Sequence, residues 1–168
     1  MILLRKAMRT NALAIGECVN LAYSGWISRI GQTPGPMLQD YVEIIDSKMV
    51  FVSEVDRAIV GVLVLSVTDE GFLLENVAVA PAYTGRGIGK CLLIRSEHEA
   101  KAQGYASLYL YTHEKMFENI ALYAKNGYVE YDRREEYGFR RVSMRKHFRH
   151  NEAQPGVGAD SQCHASCL

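Results

Sequence analysis

The sequence predicts a mixed α/β fold in which helices cover a central sheet. Runs of β-branched and apolar residues alternate along the chain with segments of helical periodicity. Their order is strand, two helices, three strands, helix, strand, helix, two strands. The chain has 168 residues, of which 48% are hydrophobic and 23% are charged, as is typical of one globular domain. We therefore expect a single domain over residues 1–148.

The N-terminal half is predicted to contain a strand, two helices, a β-hairpin and one further strand. A break rich in glycine and proline at 26–36 separates the two helices. The polar pair Asp56 and Arg57 lies between two β-branched runs, which predicts the hairpin turn. The expected bounds are a strand at 2–6, helices at 11–23 and 37–45, and strands at 49–55, 58–68 and 72–80.

The C-terminal half alternates helices and strands and then changes in composition. Apolar residues recur at helical spacing after residue 88, and Gly104 and Gly127 suit the left-handed caps that end helices. Residues 149–168 lack hydrophobic periodicity, and we expect them to form a disordered tail. The expected bounds are helices at 88–103 and 116–126 and strands at 107–112, 128–134 and 139–146.

Charge and cysteine content argue against several classes of function. Lys and Arg total 19, as do Asp and Glu, so no net field would attract nucleic acid or an anionic membrane. The basic run at 140–149 has strand-like spacing and is interpreted as a solvated strand face. The four cysteines show no metal-ligand spacing, and no targeting signal or apolar run of bilayer length is recognised. We expect a cytoplasmic protein with no metal ion and with neither a nucleic-acid nor a membrane partner.

The most informative segment is a glycine-rich turn between a predicted strand and a predicted helix. Gly85, Gly87 and Gly89 leave room for several backbone N–H groups to converge, and the helix N-terminus adds partial positive charge. This combination predicts a binding site for phosphate or pyrophosphate. A Walker A loop would need glycine at position 84, and a GxGxxG dinucleotide motif would need it at position 90 or 92, so neither motif fits.

The turn resembles the signature of the GNAT superfamily of N-acetyltransferases, Q/R-x-x-G-x-G/A. Gly87 and Gly89 match its two glycines, whereas Thr84 stands where the family usually has Gln or Arg. Two further blocks, at 73–79 and 118–128, resemble the family in the same order along the chain. The resemblance implies a mixed, mostly antiparallel central sheet flanked by helices. It also implies direct transfer, in a ternary complex, of an acetyl group from acetyl-CoA to a primary amine of a small molecule or protein.

The resemblance also assigns a cofactor site and a general acid. The strand at 77–79 would pair its main chain with the pantetheine arm, while the turn would bind the pyrophosphate. Tyr123 would lie near the cofactor sulfur and protonate the departing thiolate, and its alternative is a core residue with the hydroxyl at the edge. The cofactor-binding candidates are Val77, Ala78, Val79, Thr84, Gly85, Arg86, Gly87, Ile88, Gly89, Lys90, Asn119 and Tyr123.

Glu75 is the candidate general base. Strand alternation would place it on the same face as Val77 and Val79, two residues before the cofactor-binding segment, where a partly desolvated carboxylate could accept the proton of the amine. The alternative is a structural carboxylate paired with a neighbouring Arg. His113 is a second candidate, because neutral imidazole is available at physiological pH, and its alternative is a histidine in a surface loop. Water could also serve as the base.

The acceptor site is expected around the break at 26–37, together with Tyr23 and Tyr41, and around a late turn at 136–137. Aromatic and acidic groups there would suit a cationic amine. The same residues could instead pack internally or form the surface of a homodimer, and the sequence does not select one amine. The remaining alternative is a non-catalytic module that binds or senses acyl-CoA. The candidate substrate-binding residues are Tyr23, Trp26, Arg29, His113 and Tyr137.

Overall fold

Eight strands form one sheet in the computed structural model, which describes residues 1–149 and the backbone of residues 162–163. The strands are β1 (Ile2–Lys6), β2 (Met49–Val55), β3 (Ala58–Thr68), β4 (Gly71–Val79), β5 (Ser107–His113), β6 (Val129–Glu136), β7 (Phe139–His147) and β8 (Gln162–Cys163). The helices are α1 (Ala12–Tyr23), α2 (Ile27–Ile30), α3 (Tyr41–Ser47), α4 (Ile88–Ala102) and α5 (Phe117–Lys125).

The sheet is mostly antiparallel, as the resemblance implies. Its strand order is β6-β7-β5-β4-β3-β2-β1-β8. Strands β4 and β5 are parallel, while the other neighbouring strands run antiparallel. The crossover from β4 to β5 passes through α4, which is the connection that a parallel pair requires. The expected mixed sheet flanked by helices is therefore confirmed.

Helices cover both faces of the sheet, and the sheet separates the core into two clusters. On one face, Ile15 and Val19 of α1 and Tyr41 of α3 pack with Val62 and Ala78 of the central strands. On the other face lies a larger cluster, to which α4, α5 and the central strands all contribute. Its fully buried members include Phe51, Leu63, Leu65, Phe72, Ile88 and Leu92. The central strands read as continuous apolar runs because both of their faces are buried.

The predicted elements agree with the observed ones, except that α2 lies within the break expected at 26–36, β8 lies in the expected tail, and one helix starts later than expected. The helix expected at 37–45 begins later, at Tyr41, because the Asp40 side chain caps it by accepting the N–H of Val42 at 2.9 Å. The segment before it, Gly35–Leu38, is a short 3-10 turn. The predicted hairpin turn is present, and Asp56 has a positive φ of 50°, as a tight two-residue turn requires.

The tail expected at 149–168 lies almost entirely outside the described residues. The backbone of Gln162–Cys163 pairs with Ile2 and Leu3 of β1. Among the described residues, no helix is long and apolar enough to span a bilayer.

Candidate active site

The glycine-rich turn joins the carboxyl end of β4 to α4. Gly85 and Gly87 have φ of +78° and +81°, a left-handed conformation that strains an L side chain. Gly87 is the N-cap of α4, and its carbonyl accepts the first helical bond, from the Cys91 N–H at 3.0 Å. Within the described residues, the N–H groups of 85–90 have no hydrogen-bond partner. The turn therefore presents free donors at a helix N-terminus, which is an arrangement that can bind an anion.

Side chains of the turn add cations around these donors. Arg86 and Lys90 are exposed, and the Arg86 guanidinium lies 4.9 Å from the centre of the Tyr83 ring. The Thr84 hydroxyl donates to the Pro81 carbonyl at 3.0 Å, so it stabilises the turn itself. The turn thus combines free backbone donors with two exposed cationic side chains.

Strands β4 and β5 separate just beyond their first residues. Their pairing is confined to Phe72 with Leu108 and Leu73 with Tyr109. From Leu74 onwards β4 keeps its pairing with β3 but has none with β5. The two carboxyl ends therefore diverge, one toward the glycine-rich turn and the other toward His113. An open strand edge of this kind can pair with the main chain or amide groups of a ligand.

The opening between the strands leads into a cavity whose empty space, counting its mouth, is about 910 Å³. Its walls come from α1, α2, α5, β4, β5, β7 and the segment at 34–39. Both catalytic candidates, Glu75 and Tyr123, lie in this wall. Four more predicted site residues line the same cavity, namely Tyr23, Val77, His113 and Asn119.

Tyr123 lies on α5, one turn after Asn119. Both side chains line the cavity, because a spacing of four places them on one face of the helix. Tyr123 is 7% exposed and packs edge-on against Tyr128, with ring centres 5.7 Å apart. Burial raises the pKa of the Tyr123 phenol well above its usual value. The phenol therefore stays protonated at neutral pH and is available as a donor.

A chain of hydrogen bonds connects the cavity with the α1 and α3 layer. The Tyr23 hydroxyl donates to Asn76 Oδ1 at 2.7 Å, and Asn76 Nδ2 approaches the Tyr41 hydroxyl at 3.4 Å. The Tyr41 hydroxyl donates in turn to the Pro36 carbonyl at 2.7 Å. Burial is the main cause of the raised pKa of Tyr23, and the nearby Tyr123 adds to it. Two protonated phenols therefore lie close together where β4 and β5 separate.

Glu75 lies at a β-bulge, and this changes the face on which it was expected. The pairing of β3 and β4 shifts by one residue, from Leu65 with Leu74 to Val64 with Asn76, and leaves Glu75 as the extra residue. Leu74, rather than Glu75, shares the larger core cluster with Val77 and Val79. The predicted alternation is therefore wrong at this point, because a bulge reverses the phase of a strand.

The Glu75 carboxylate has two partners. One oxygen forms an ion pair with Lys48, and the other accepts a hydrogen bond from the Ser66 hydroxyl at 3.0 Å. Its side chain is 12% exposed and lines the cavity. The partner is thus a lysine, not the arginine considered from the sequence. A carboxylate has about four lone-pair sites, so two remain for a substrate or water.

His113 lies at the end of β5 and is 9% exposed. Its Nδ1 accepts the backbone N–H of Lys115 at 3.1 Å, and its ring packs edge-on against Phe139. Burial lowers the pKa of His113 below 6.5, so the imidazole is neutral at physiological pH. Because Nδ1 is already an acceptor, the neutral ring carries its proton on Nε2. Such a ring can donate a hydrogen bond from Nε2 but cannot accept a proton there.

Arg141 and Tyr111 line the cavity and were not predicted as site residues. The guanidinium of Arg141 lies 4.4 Å from the centre of the Tyr111 ring, and Arg141 is an exception to the solvated face expected of the basic run. A sequence signal did exist, since β5 has tyrosines at 109 and 111 and β7 has arginines at 141 and 145. The pairing of those two strands was needed to place them together.

Three predicted acceptor residues are not among those that line the cavity. The Arg29 guanidinium lies 4.8 Å from the centre of the Trp26 ring and forms an ion pair with Glu118 at 2.8 Å, near the molecular surface. Tyr137 is 90% exposed at the turn between β6 and β7. Their aromatic and charged character suggested binding, but Trp26 and Arg29 contact each other and Glu118. The exposed Tyr137 ring has its centre 5.9 Å from the Arg141 guanidinium.

A model of the acetyltransferase (GNAT) domain matches residues 46–130, which contain β4, the glycine-rich turn, α4, β5 and α5. This match spans half of the chain. The chain belongs to the GNAT acetyltransferase family. Membership of the GNAT family indicates acyltransferase activity. A search of curated protein sequences finds no significant match.

Solved structures of other GNAT proteins share the fold. PaiA N-acetyltransferase of Thermoplasma acidophilum, in complex with coenzyme A, has a TM-score of 0.72 and 20% identity over 88% of this chain and 99% of its own. A GNAT-family protein of Desulfovibrio desulfuricans has a TM-score of 0.72 and 18% identity over 88% and 99% of the two chains. YncA of Salmonella typhimurium, with acetyl-CoA, has a TM-score of 0.69 and 19% identity over 94% and 99%.

Among the described residues, no three His, Cys, Asp or Glu side chains are grouped so that they could hold a metal ion.

Proposed function

We propose that this GNAT protein transfers an acetyl group from acetyl-CoA to a primary amine of a small molecule or protein, directly and within a ternary complex. One observation carries the proposal. The edge of β4 that β5 leaves open runs from the cavity, which residues 74–77 line together with Tyr123 and Asn119, toward the free N–H groups of the glycine-rich turn that follows β4. A ligand with an anionic end and an amide-bearing arm fits such a path, because each part finds unpaired backbone groups.

Acetyl-CoA has both of these parts. Its pyrophosphate would bind the N–H groups of 85–90, with Arg86 and Lys90 nearby, and its pantetheine arm would pair with the open edge of β4 near Val77. Related structures that contain coenzyme A or acetyl-CoA support this choice of ligand. Thr84 bonds to the Pro81 carbonyl within the turn, so we assign phosphate binding to the backbone of the turn.

The chemistry would be a single displacement. The amine lone pair attacks the thioester carbonyl carbon, a C–N bond forms, and the C–S bond breaks with its electron pair going to sulfur. Tyr123 would donate its phenolic proton to that sulfur. Burial raises the pKa of Tyr123, but the same exclusion of water raises the proton affinity of the thiolate, so transfer between them remains feasible.

Glu75 or a water next to it would accept the proton of the amine. The two partners of its carboxylate fix its position, and its place in the cavity wall brings it within reach of a bound amine. The base role of His113 considered from the sequence is less suitable, because its neutral form has the proton on Nε2. We therefore assign His113 to substrate binding as a hydrogen-bond donor.

Calorimetric titration with acetyl-CoA tests the site with a matched pair of variants. Gly87 and Gly104 lie at opposite ends of α4, with φ of +81° and +83°, and at neither would an added Cβ meet another atom within 4 Å. Gly87→Val and Gly104→Val should therefore lose similar stability, about 1–2 kcal/mol or more. We expect only Gly87→Val to weaken acetyl-CoA binding, by about tenfold or more. Equal binding by both variants would contradict the assignment.

Release of free thiol in the presence of an amine panel then tests turnover. We expect wild-type protein to release CoA with at least one amine and to form the acetylated amine in equal amount. Saturable binding of acetyl-CoA without any product would instead support the non-catalytic acyl-CoA module. No binding by folded wild-type protein would overturn both functions.

A further inference from the structure

Two charged side chains of opposite sign line the active-site cavity. Among the described residues of its wall, Glu75 and Arg141 are the ones that carry charge at neutral pH. Their counter-ions, Lys48 and Glu136, are not part of that wall. A molecule in the cavity would therefore meet one anionic and one cationic group.

Arg141 retains donors for a ligand. Its Nη1 donates to Glu136 at 2.9 Å, and within the described residues Nε and Nη2 have no hydrogen-bond partner. Its side chain is 24% exposed, and the ion pair with Glu136 and the Tyr111 ring, 4.4 Å from the guanidinium, hold it in place. A guanidinium fixed in this way presents parallel N–H groups, which match the two oxygens of a carboxylate.

The phenol of Tyr111 interacts electrostatically with both Glu75 and Arg141. Burial is the main cause of the raised pKa of its phenol, while Arg141 lowers that pKa and Glu75 raises it. Both charged groups therefore act on the same phenol, from β7 on one side and β4 on the other. Both groups also line the same cavity, so a single ligand can lie between them.

We propose that the amine acceptor is an amino acid or a similar small zwitterion. Its ammonium group binds at Glu75 and its carboxylate at Arg141, and an apolar side chain packs against Leu110, Met116 and Phe139 of the wall. This inference rests on the proposed function and names its substrate class. A polycation is disfavoured, because Glu75 is the one carboxylate of the described wall and the cationic Arg141 lines the same cavity.

The transfer step leaves the carboxylate unchanged. The ammonium group loses one proton to Glu75 or to water, and the resulting amine attacks the thioester. The products are the N-acetyl amino acid and CoA, with the sulfur protonated by Tyr123. Binding of the carboxylate to Arg141 positions the nitrogen but takes no part in bond making or breaking.

The test compares each amino acid with its amide and with its decarboxylated amine, for the leucine, methionine and phenylalanine series. Steady-state kinetics are measured for wild type, Arg141→Gln and the control Arg140→Gln. Arg140 neighbours Arg141 on β7, but it is exposed and pairs with Glu114. Comparing variants on each substrate cancels the different basicities of the three amines.

We expect Arg141→Gln to raise KM for the amino acid by about tenfold or more, and to change KM for the decarboxylated amine less than twofold. Arg140→Gln should leave the kinetics of all three compounds as in wild type. If the role of Arg141 were merely structural, Arg141→Gln would raise KM for all three substrates equally. That result would overturn the inference. An equal or higher kcat/KM for the decarboxylated amines in wild type would overturn it too, while leaving the acetyltransferase function intact.

Calorimetric titration of the amino acids into CoA-saturated protein separates the two proposals. Binding that is lost in Arg141→Gln, with no turnover of any amine, would support the zwitterion site and reject the proposed function. Turnover of other amines with no detectable amino acid binding would reject the zwitterion site alone.

Discussion

The glycine-rich turn and the acceptor side of the cavity are built in opposite ways. The turn is one contiguous segment, 84–90, whose free N–H groups belong to the backbone. The acceptor side is assembled from side chains on α1, β4, β5 and β7, which lie far apart in the sequence. Substitutions in the first region should act through backbone conformation, and those in the second through one functional group at a time. A backbone site can therefore be recognised in the sequence by its glycines, whereas a site built from side chains can be located only once the pairing of the strands is known.

The strongest test of this difference is Tyr123→Phe, which removes one hydroxyl and leaves the backbone intact. Loss of the general acid should lower kcat by about a hundredfold or more, without changing the Kd for acetyl-CoA. Single-turnover measurement of thiol release, beside calorimetric titration, separates the two effects. A variant that keeps its kcat would show that Tyr123 is the core residue considered as its alternative.

Tyr128→Phe is the matched control for this test. Tyr128 packs against Tyr123, and within the described residues no group has hydrogen-bond geometry to its buried hydroxyl, although the nearby Ser96 side chain lowers the pKa of the phenol that burial raises. Removing an unsatisfied hydroxyl should leave stability unchanged or slightly higher, with kcat as in wild type. If both variants lost activity equally, packing of the tyrosine pair rather than proton donation would explain the loss.

A second prediction concerns the protonation of His113. Burial lowers its pKa in the folded state, so between pH 6.5 and that lower value the unfolded chain binds more protons than the folded one. Stability should therefore fall as the pH drops below 6.5, and His113→Asn should lose less stability over the same interval. Chemical denaturation at pH 7 and pH 5 measures the difference. An equal loss in both proteins would contradict the prediction.

The tautomer of His113 can be observed directly in the same samples. Nitrogen-15 spectra should show Nε2 protonated and Nδ1 unprotonated at pH 7, because Nδ1 accepts the Lys115 N–H. A protonated Nδ1 would instead leave Nε2 free to act as a base. This measurement therefore decides between donor and base for a residue on the acceptor side.

Most elements of the fold could be predicted because their signals are local. The two glycines that end α4 and α5, Gly104 and Gly127, have φ of +83° and +94°, as left-handed caps require. The hairpin of β2 and β3 has its expected bounds, since a polar pair separates two apolar runs. The predicted start of α3 at residue 37 was wrong, because the Asp40 side chain caps the helix, which therefore begins at Tyr41.

The candidate site was predictable only in part, for two physical reasons. A bulge has no sequence signal of its own, so the face of Glu75 could not be derived from strand alternation. Arg141 looked like one residue of a solvated basic strand until the pairing of β5 with β7 placed it over Tyr111. Trp26 and Arg29, by contrast, have the chemistry of a binding site but find their partners in each other and in Glu118.

The smallest expected effect is that of Arg29→Gln, which tests where the acceptor side ends. Its ion pair with Glu118 joins α2 to α5, but the two side chains are 42% and 62% exposed, so solvent and salt screen the interaction. We expect Tm to fall by no more than a few degrees and the KM for the acceptor to remain within about twofold of wild type. Thermal denaturation and steady-state kinetics measure both. A KM that rose as much as in Arg141→Gln would mean that the acceptor reaches past Ile30, which lines the cavity, to the surface pair of Trp26 and Arg29.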